Sequence, residues 1–247
     1  MARTIDGKLV KDAIWNTNYW TRDNKPDKVF VHHMVAKDWT AKRCGQFFRT
    51  AGVSSNYGIG VKGDMCQYVE ESKGAWAQGS TYWNKRGISI EIANSTGNPT
   101  WKISDESLES CIELVADIFK RNELGAVNYT GNTKGNLLMH RWVANTSCPG
   151  IYLGSKFPLI ADEANKILMG VLRVHSRGYF KRGDRGRSIR HIKKWLKKEG
   201  FYKGTSLNWT YSLATVRAVK RYQKKYKLTV DGLWGNECLT KYKELTK

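Results

Sequence analysis

The basic residues of this chain are not spread evenly along its 247 positions. Residues 1–170 hold 21 Lys+Arg against 17 Asp+Glu, a net of +4. Residues 171–247 hold 21 against 5, a net of +16. A step of that size points to two domains with different tasks, and the length is enough for both. With 40% hydrophobic and 12% aromatic residues the chain has material for packed cores rather than disorder. No run approaches the roughly 20 apolar residues of a membrane helix. The polar start, from Met1 to Asn16, lacks the form of a secretory signal, so a soluble chain without a membrane partner is expected. The basic second part calls for a polyanion: nucleic acid, a membrane surface or an anionic wall polymer, among which charge alone does not choose. Cys44, Cys66, Cys111, Cys148 and Cys238 show no CxxC spacing, which favours reduced thiols over a disulfide framework.

Periodicity gives the coarse architecture. Val29 to Val35 reads as a buried strand, and Asn56 to Val69 as a hairpin turning at Lys62-Gly63-Asp64. In the strand Gly87 to Ala93, Ile88, Ile90 and Ile92 share one side and Ser89 and Glu91 the other. Helices are expected over Thr40–Thr50, after an N-cap at Ser104, and around Leu159 to Met169. A short strand, Asn136 to Arg141, runs into a loop ending at Gly150. Alternating strands and helices predict an α/β fold, a mixed central β-sheet flanked by helices, over residues 1–170. A linker is expected at 171–177 and a small three-helix domain at 178–247.

Several side chains in the first domain suit zinc: His32 or His33, His140 and Cys148. Neutral imidazole and thiolate both ligate this metal, and three protein ligands leave a fourth position for water. The simpler reading of each is a hydrogen-bonded core histidine or a buried thiol.

The runs Val29-Phe30-Val31-His32-His33, Val53 to Ile59, Gly87 to Glu91, and His140-Arg141 with Thr146-Ser147-Cys148-Pro149-Gly150 resemble, in order, the motifs of the zinc-dependent N-acetylmuramoyl-L-alanine amidases of type 2, relatives of the peptidoglycan recognition proteins. The resemblance covers about residues 25–168. It implies one zinc per chain, held by His32, His140 and Cys148, with His33 on the other side of its strand. It also implies that Glu91 carries the proton of the attacking water to the leaving amine. Where many members have a Lys two residues before the Cys ligand, this chain has Thr146, which can donate a hydrogen bond to an oxyanion but brings no charge. Asn56 stands where the family often has His.

The tail resembles the three-helix peptidoglycan-binding domain found beside wall hydrolases. It does so through Gly183-Asp184-Arg185-Gly186, Ala218 to Gln223 and Asp231-Gly232-Leu233-Trp234-Gly235. Its first family turn is altered to Asn208-Trp209-Thr210-Tyr211-Ser212. Together the two parts resemble a bacteriophage endolysin. Such an enzyme waits as a monomer in the host cytoplasm and then cuts wall peptidoglycan between N-acetylmuramic acid and L-Ala, with anionic wall polymers as further partners. The alternatives are a bacterial autolysin of the same chemistry and a peptidoglycan-binding protein that does not cut. A nucleic-acid binder, suggested by Trp195, Trp209, Tyr222 and Trp234 among the basic residues, is not expected, because aromatics at helical spacing are more often core.

Overall fold

The computed structural model describes residues 3–169, 178–184 and 186–246. The segment 171–177, read above as a linker, lies outside the described residues, as does Arg185 of the first tail motif. By internal contacts the chain divides into two compact units, Met1–Gly170 and Val171–Lys247.

The first unit is built on a six-stranded sheet. Its strands are β1 (Asp12–Ala13), β3 (Lys28–Lys37), β4 (Tyr57–Ile59), β5 (Met65–Gln67), β7 (Gly87–Asn94) and β8 (Leu137–Met139), ordered β1-β5-β4-β7-β3-β8. Three central pairings, β4 with β7, β7 with β3 and β3 with β8, are parallel. The β4–β5 hairpin adds an antiparallel step, so the sheet is mixed. A separate antiparallel pair joins β2 (Tyr19–Thr21) to β6 (Lys73–Ala75).

Strand parity divides the labour between the two faces of this sheet. Val29, Val31, Tyr57, Ile59, Ile88, Ile90, Ile92, Leu137 and Met139 form one buried cluster with α3 (Asp105–Arg121) and α5 (Phe157–Leu168). The residues of opposite parity, Phe30, His32, Ser89 and Glu91, stand side by side on the other face, since Phe30 pairs with Ser89 and His32 with Glu91. One face builds the core. The other is left for chemistry.

Local signals explain the helices. Thr40 caps α1 (Ala41–Phe48) through a bond from the Arg43 N–H. Ser104 accepts from Ser107 N at 3.0 Å to start α3, whose first turn carries Asp105 and Glu106 and whose last carries Lys120 and Arg121, both favourable to the helix dipole. Pro158 lies in the first turn of α5, where its missing N–H costs nothing, so that helix begins two residues before Leu159. The edge strands β1, β2 and β6 and the helices α2 (Thr81–Arg86) and α4 (Gly150–Gly154) have no counterpart in the sequence reading. Elements of two to six residues are too short to display a period.

A buried ion-pair network ties α3 to the loop between β5 and β6. Glu71, 5% exposed, accepts from Arg121 Nη1 at 2.6 Å and Nη2 at 2.8 Å, from Tyr57 Oη at 2.8 Å and from Asn122 Nδ2 at 2.7 Å. Every lone pair of the carboxylate is engaged, which is the condition under which a buried charge is tolerated. Arg121→Met should lower the unfolding free energy by about 3 kcal/mol, near the lower end for breaking a buried pair, because Arg121 is 24% exposed. Urea denaturation should show an earlier midpoint with an unchanged slope.

The second unit contains α6 (Arg187–Lys198), α7 (Leu213–Lys225) and α8 (Asn236–Leu245) around a core that includes Ile189, Ile192, Leu196, Val219, Tyr222 and Trp234. In the turn Asp231-Gly232, Asp231 Oδ1 accepts from Leu233 N at 2.8 Å and Gly232 takes φ +80°, a conformation that suits glycine. The altered turn at Asn208 is held differently. Fully buried Lys193 donates to Asn208 O, Asn208 Oδ1 and Thr210 O at 2.8–3.3 Å, and Asn208 Oδ1 also accepts from Thr210 N. Among the described residues no helix is long and apolar enough to cross a membrane.

Candidate metal centre

Three elements deliver three side chains to one point. His32 projects from β3 on the face opposite the core. The register of Val31 with Met139 places His140, the next residue after β8, beside it, with ring centroids 4.7 Å apart. Cys148 arrives from the loop that follows, its Sγ 3.6 Å from His32 Nδ1. One ligand atom from each of His32, His140 and Cys148 lies within 4.8 Å of the others.

Backbone bonds fold the loop into place. Arg141 N donates to Cys148 O at 3.0 Å, and the Arg141 guanidinium reaches Gly150 O at 3.2 Å. Gly150 N closes the turn onto Ser147 O at 2.8 Å. Gly150 takes φ +79°, and a Cβ on it would sit 3.3 Å from the His33 ring, so glycine meets both demands. His33 itself lies on the far side of the strand, 6.2 Å from the Trp101 ring and with Nδ1 3.4 Å from Asn94 Nδ2. Its backbone N–H favours the thiolate of Cys148.

The electrostatics suit a cation. Burial, reinforced by His140 and His33, pushes His32 well below the usual imidazole range, and burial lowers His140 as well. Both rings are therefore neutral at physiological pH, the form that ligates metal. Burial, with Glu91 nearby, pushes the Cys148 thiol up. Hence the thiolate needs a positive partner in order to form. His32 Nε2, His140 Nε2 and Glu91 Oε2 are buried with no hydrogen-bond partner among the described residues. A donor set of two neutral imidazoles and one thiol, beside a carboxyl whose Oε2 is buried and unpartnered among the described residues, fits zinc.

Glu91 stands beside His32 in the sheet, and its other neighbour in register is Gly58. A Cβ on Gly58 would lie 1.7 Å from Tyr68 Oη. Glycine thus lets the buried Tyr68 occupy the slot next to Glu91, where its hydroxyl donates to Ala41 O at 2.5 Å. Desolvation pushes the Glu91 carboxyl up to about 8. A cation between the three ligands would favour the carboxylate and draw that value back down.

The remaining sequence candidates take other positions. Thr146 Oγ1 accepts from Cys148 N at 3.2 Å and so shapes the loop, leaving its hydroxyl hydrogen to donate. Asn56 is fully buried. Its Nδ2 contacts Val69 O, Glu70 O and Lys73 O at 3.1–3.3 Å, while its Oδ1 accepts from Ser89 N at 3.0 Å. Its amide is consumed in joining β7 to the 69–73 loop. Sequence reasoning missed Gln78, which is fully buried with both carboxamide atoms unpartnered among the described residues. Its neighbour Gly79 passes close enough to His140 that a Cβ there would lie 4.0 Å from Nε2. No periodicity marks that loop.

This geometry coincides with a match to known proteins. Residues 22–151, just over half of the chain, match the family profile described as N-acetylmuramoyl-L-alanine amidase. The chain belongs to this amidase family. Residues 185–241 match the profile described as putative peptidoglycan binding domain. Among curated relatives of the amidase, N-acetylmuramoyl-L-alanine amidase CwlL of Bacillus licheniformis is 26% identical over 166 residues, 62% of this chain and 43% of CwlL. The chain thus corresponds to less than half the length of that relative. The solved structure of PlyL, 14% identical, covers 62% of this chain and 96% of its own with a TM-score of 0.50, a likeness in fold.

Proposed function

We propose that this amidase hydrolyses the amide between the lactyl group of N-acetylmuramic acid and L-Ala in bacterial peptidoglycan, as a lysis enzyme of the endolysin kind. The convergence of His32, His140 and Cys148 within 4.8 Å, beside the Glu91 carboxyl with its buried Oε2 on the same sheet face, is the observation that carries this reading. In it, His32, His140 and Cys148 hold one zinc ion. Bound zinc would supply Lewis acidity toward the scissile carbonyl and toward a water molecule.

The protein's own groups do the rest. Glu91 takes a proton from the attacking water at Oε2 and returns it to the amide nitrogen as the C–N bond breaks, so that an acid and an amine leave. A desolvated carboxyl in the range near neutrality is suited to both transfers. Thr146 donates its hydroxyl hydrogen toward the carbonyl oxygen as charge gathers there. The boundaries proposed for the division of labour are 1–170 for chemistry and 178–247 for attachment to the wall, in a monomer.

Dye release from purified, dye-labelled walls tests the reading. Release should stop when a chelator strips the enzyme and return when zinc is restored. Release that persists in chelator would remove the metal from the account. A protein that sediments with walls but releases nothing under either condition would be a binding protein.

A further inference from the structure

The outer face of α7 is composed in a way that helix stability does not explain. The helix carries Arg217, Lys220, Arg221, Lys224 and Lys225 and no acid. Its buried side is formed by Thr215, Ala218, Val219, Tyr222 and Gln223, while the five cations are exposed. Two of them serve the fold. Arg221 donates to Phe201 O at 2.5 and 2.8 Å, and Lys225 Nζ lies 5.4 Å from the Phe201 ring and 5.5 Å from that of Tyr226.

Arg217, Lys220 and Lys224 make no ion pair among the described residues. Residues 217 and 220, 217 and 221, and 220 and 224 are like-charged neighbours at helical spacing, an arrangement that opposes the helix. In α3, by contrast, acids open the helix and bases close it. Spaced at i, i+3 and i+7, the three free cations form a line roughly 10 Å long on the side opposite the core.

We propose that the line Arg217–Lys220–Lys224 binds a phosphodiester-linked anionic polymer of the bacterial wall, as a ligand distinct from the peptidoglycan strand. The inference rests on the wall-directed function above and adds a second wall component to it. Cations of this kind take phosphate, Arg by a fork of donors and Lys as a point charge. A single-stranded nucleic acid would also need aromatic platforms for its bases. Trp195, Tyr222 and Trp234 are at most 9% exposed, Tyr222 and Trp234 stack on each other at 5.4 Å inside the core, and the half-buried Trp209 has the Arg190 guanidinium 4.7 Å over its ring. What the face of α7 offers is charge, which matches a polymer of repeating phosphates without bases.

The test uses the full chain and the triple variant Arg217→Gln, Lys220→Gln, Lys224→Gln; glutamine retains helix propensity at exposed sites. Each is sedimented with purified walls carrying such a polymer, and with the same walls after hydrofluoric acid has removed it. The unaltered chain should bind intact walls at least tenfold more tightly than stripped ones. The variant should bind both as the unaltered chain binds stripped walls, with a shallower salt dependence. Cleavage of soluble muropeptides, which needs no wall attachment, should be equal in the two proteins and reports separately on the amidase reading. Equal affinity of the unaltered chain for the two walls, or full retention of the variant on intact walls, overturns the proposal. Tighter binding of duplex DNA than of intact walls at 0.15 M salt would overturn it in favour of nucleic acid. Absence of binding to either wall would sink the wall-directed reading and the proposal with it, whatever the muropeptide result.

Discussion

Cys148→Ser should leave the amidase unit folded but without its metal and without activity. The side chain is 9% exposed and serine is slightly smaller, so the substitution opens little space. The chemical change is far larger. A serine hydroxyl stays protonated and neutral where a thiolate would neutralise the cation, and the backbone N–H of His33 then has no anion to stabilise. Loss of groups that merely support metal ligands costs about 10- to 100-fold in affinity or activity, so loss of a ligand should exceed that. Metal analysis of purified protein should fall from near one zinc per chain to a small fraction, with far-UV circular dichroism unchanged. His32→Ala should behave likewise, whereas His33→Ala should keep its zinc, since His33 faces Trp101 and Asn94. Zinc retained at full stoichiometry in Cys148→Ser would mean that the three side chains are packed together for another reason.

Glu91→Gln should cost about 10²- to 10⁴-fold in turnover, the usual contribution of a general acid-base group. The amide is isosteric and neutral, and the native Oε2 is buried without a partner among the described residues, so the fold has little to lose. Zinc content should be unaffected, since Glu91 is not among the three clustered ligand groups. The combination of full metal, intact stability and depressed turnover distinguishes proton transfer from a structural role. Near-normal turnover would assign the proton to another group.

The strands that carry the site were legible because two chemistries alternate along them. Ile88, Ile90 and Ile92 against Ser89 and Glu91, and Val29 and Val31 against Phe30 and His32, need only period 2 to sort them onto two faces. The same parity separates His32 from His33, and the structure places His33 with Asn94 and Trp101. Two helices of the second unit were legible from the spacing of Ile189, Ile192 and Leu196 and of Val219 and Tyr222, and the third from the segment Cys238 to Leu245.

What could not be read depends on contacts distant in sequence. Tyr68 fills the space that Gly58 leaves, and no local pattern relates the two. Gln78 comes to lie on the site face through a loop without periodicity, with a Cβ on Gly87 only 3.1 Å from its Nε2. Asn56 could be read as a polar residue of the site, but not as one whose every group is already spent on the backbone of the 69–73 loop and on Ser89. Lys193 looks like one more surface cation of a basic helix, yet it is wholly buried against the altered Asn208 turn.

The central claim is the identity of the bond that is cut, and the products decide it. Purified peptidoglycan should be digested with the zinc-loaded chain and the soluble fraction assayed for new amino termini and new reducing sugars, with masses determined for both. Hydrolysis of the lactyl amide predicts free N-terminal alanine on intact stem peptides, glycan strands that keep their lactyl groups, and no increase in reducing ends. New reducing ends, or peptides that begin at any residue other than the first alanine, would contradict the account.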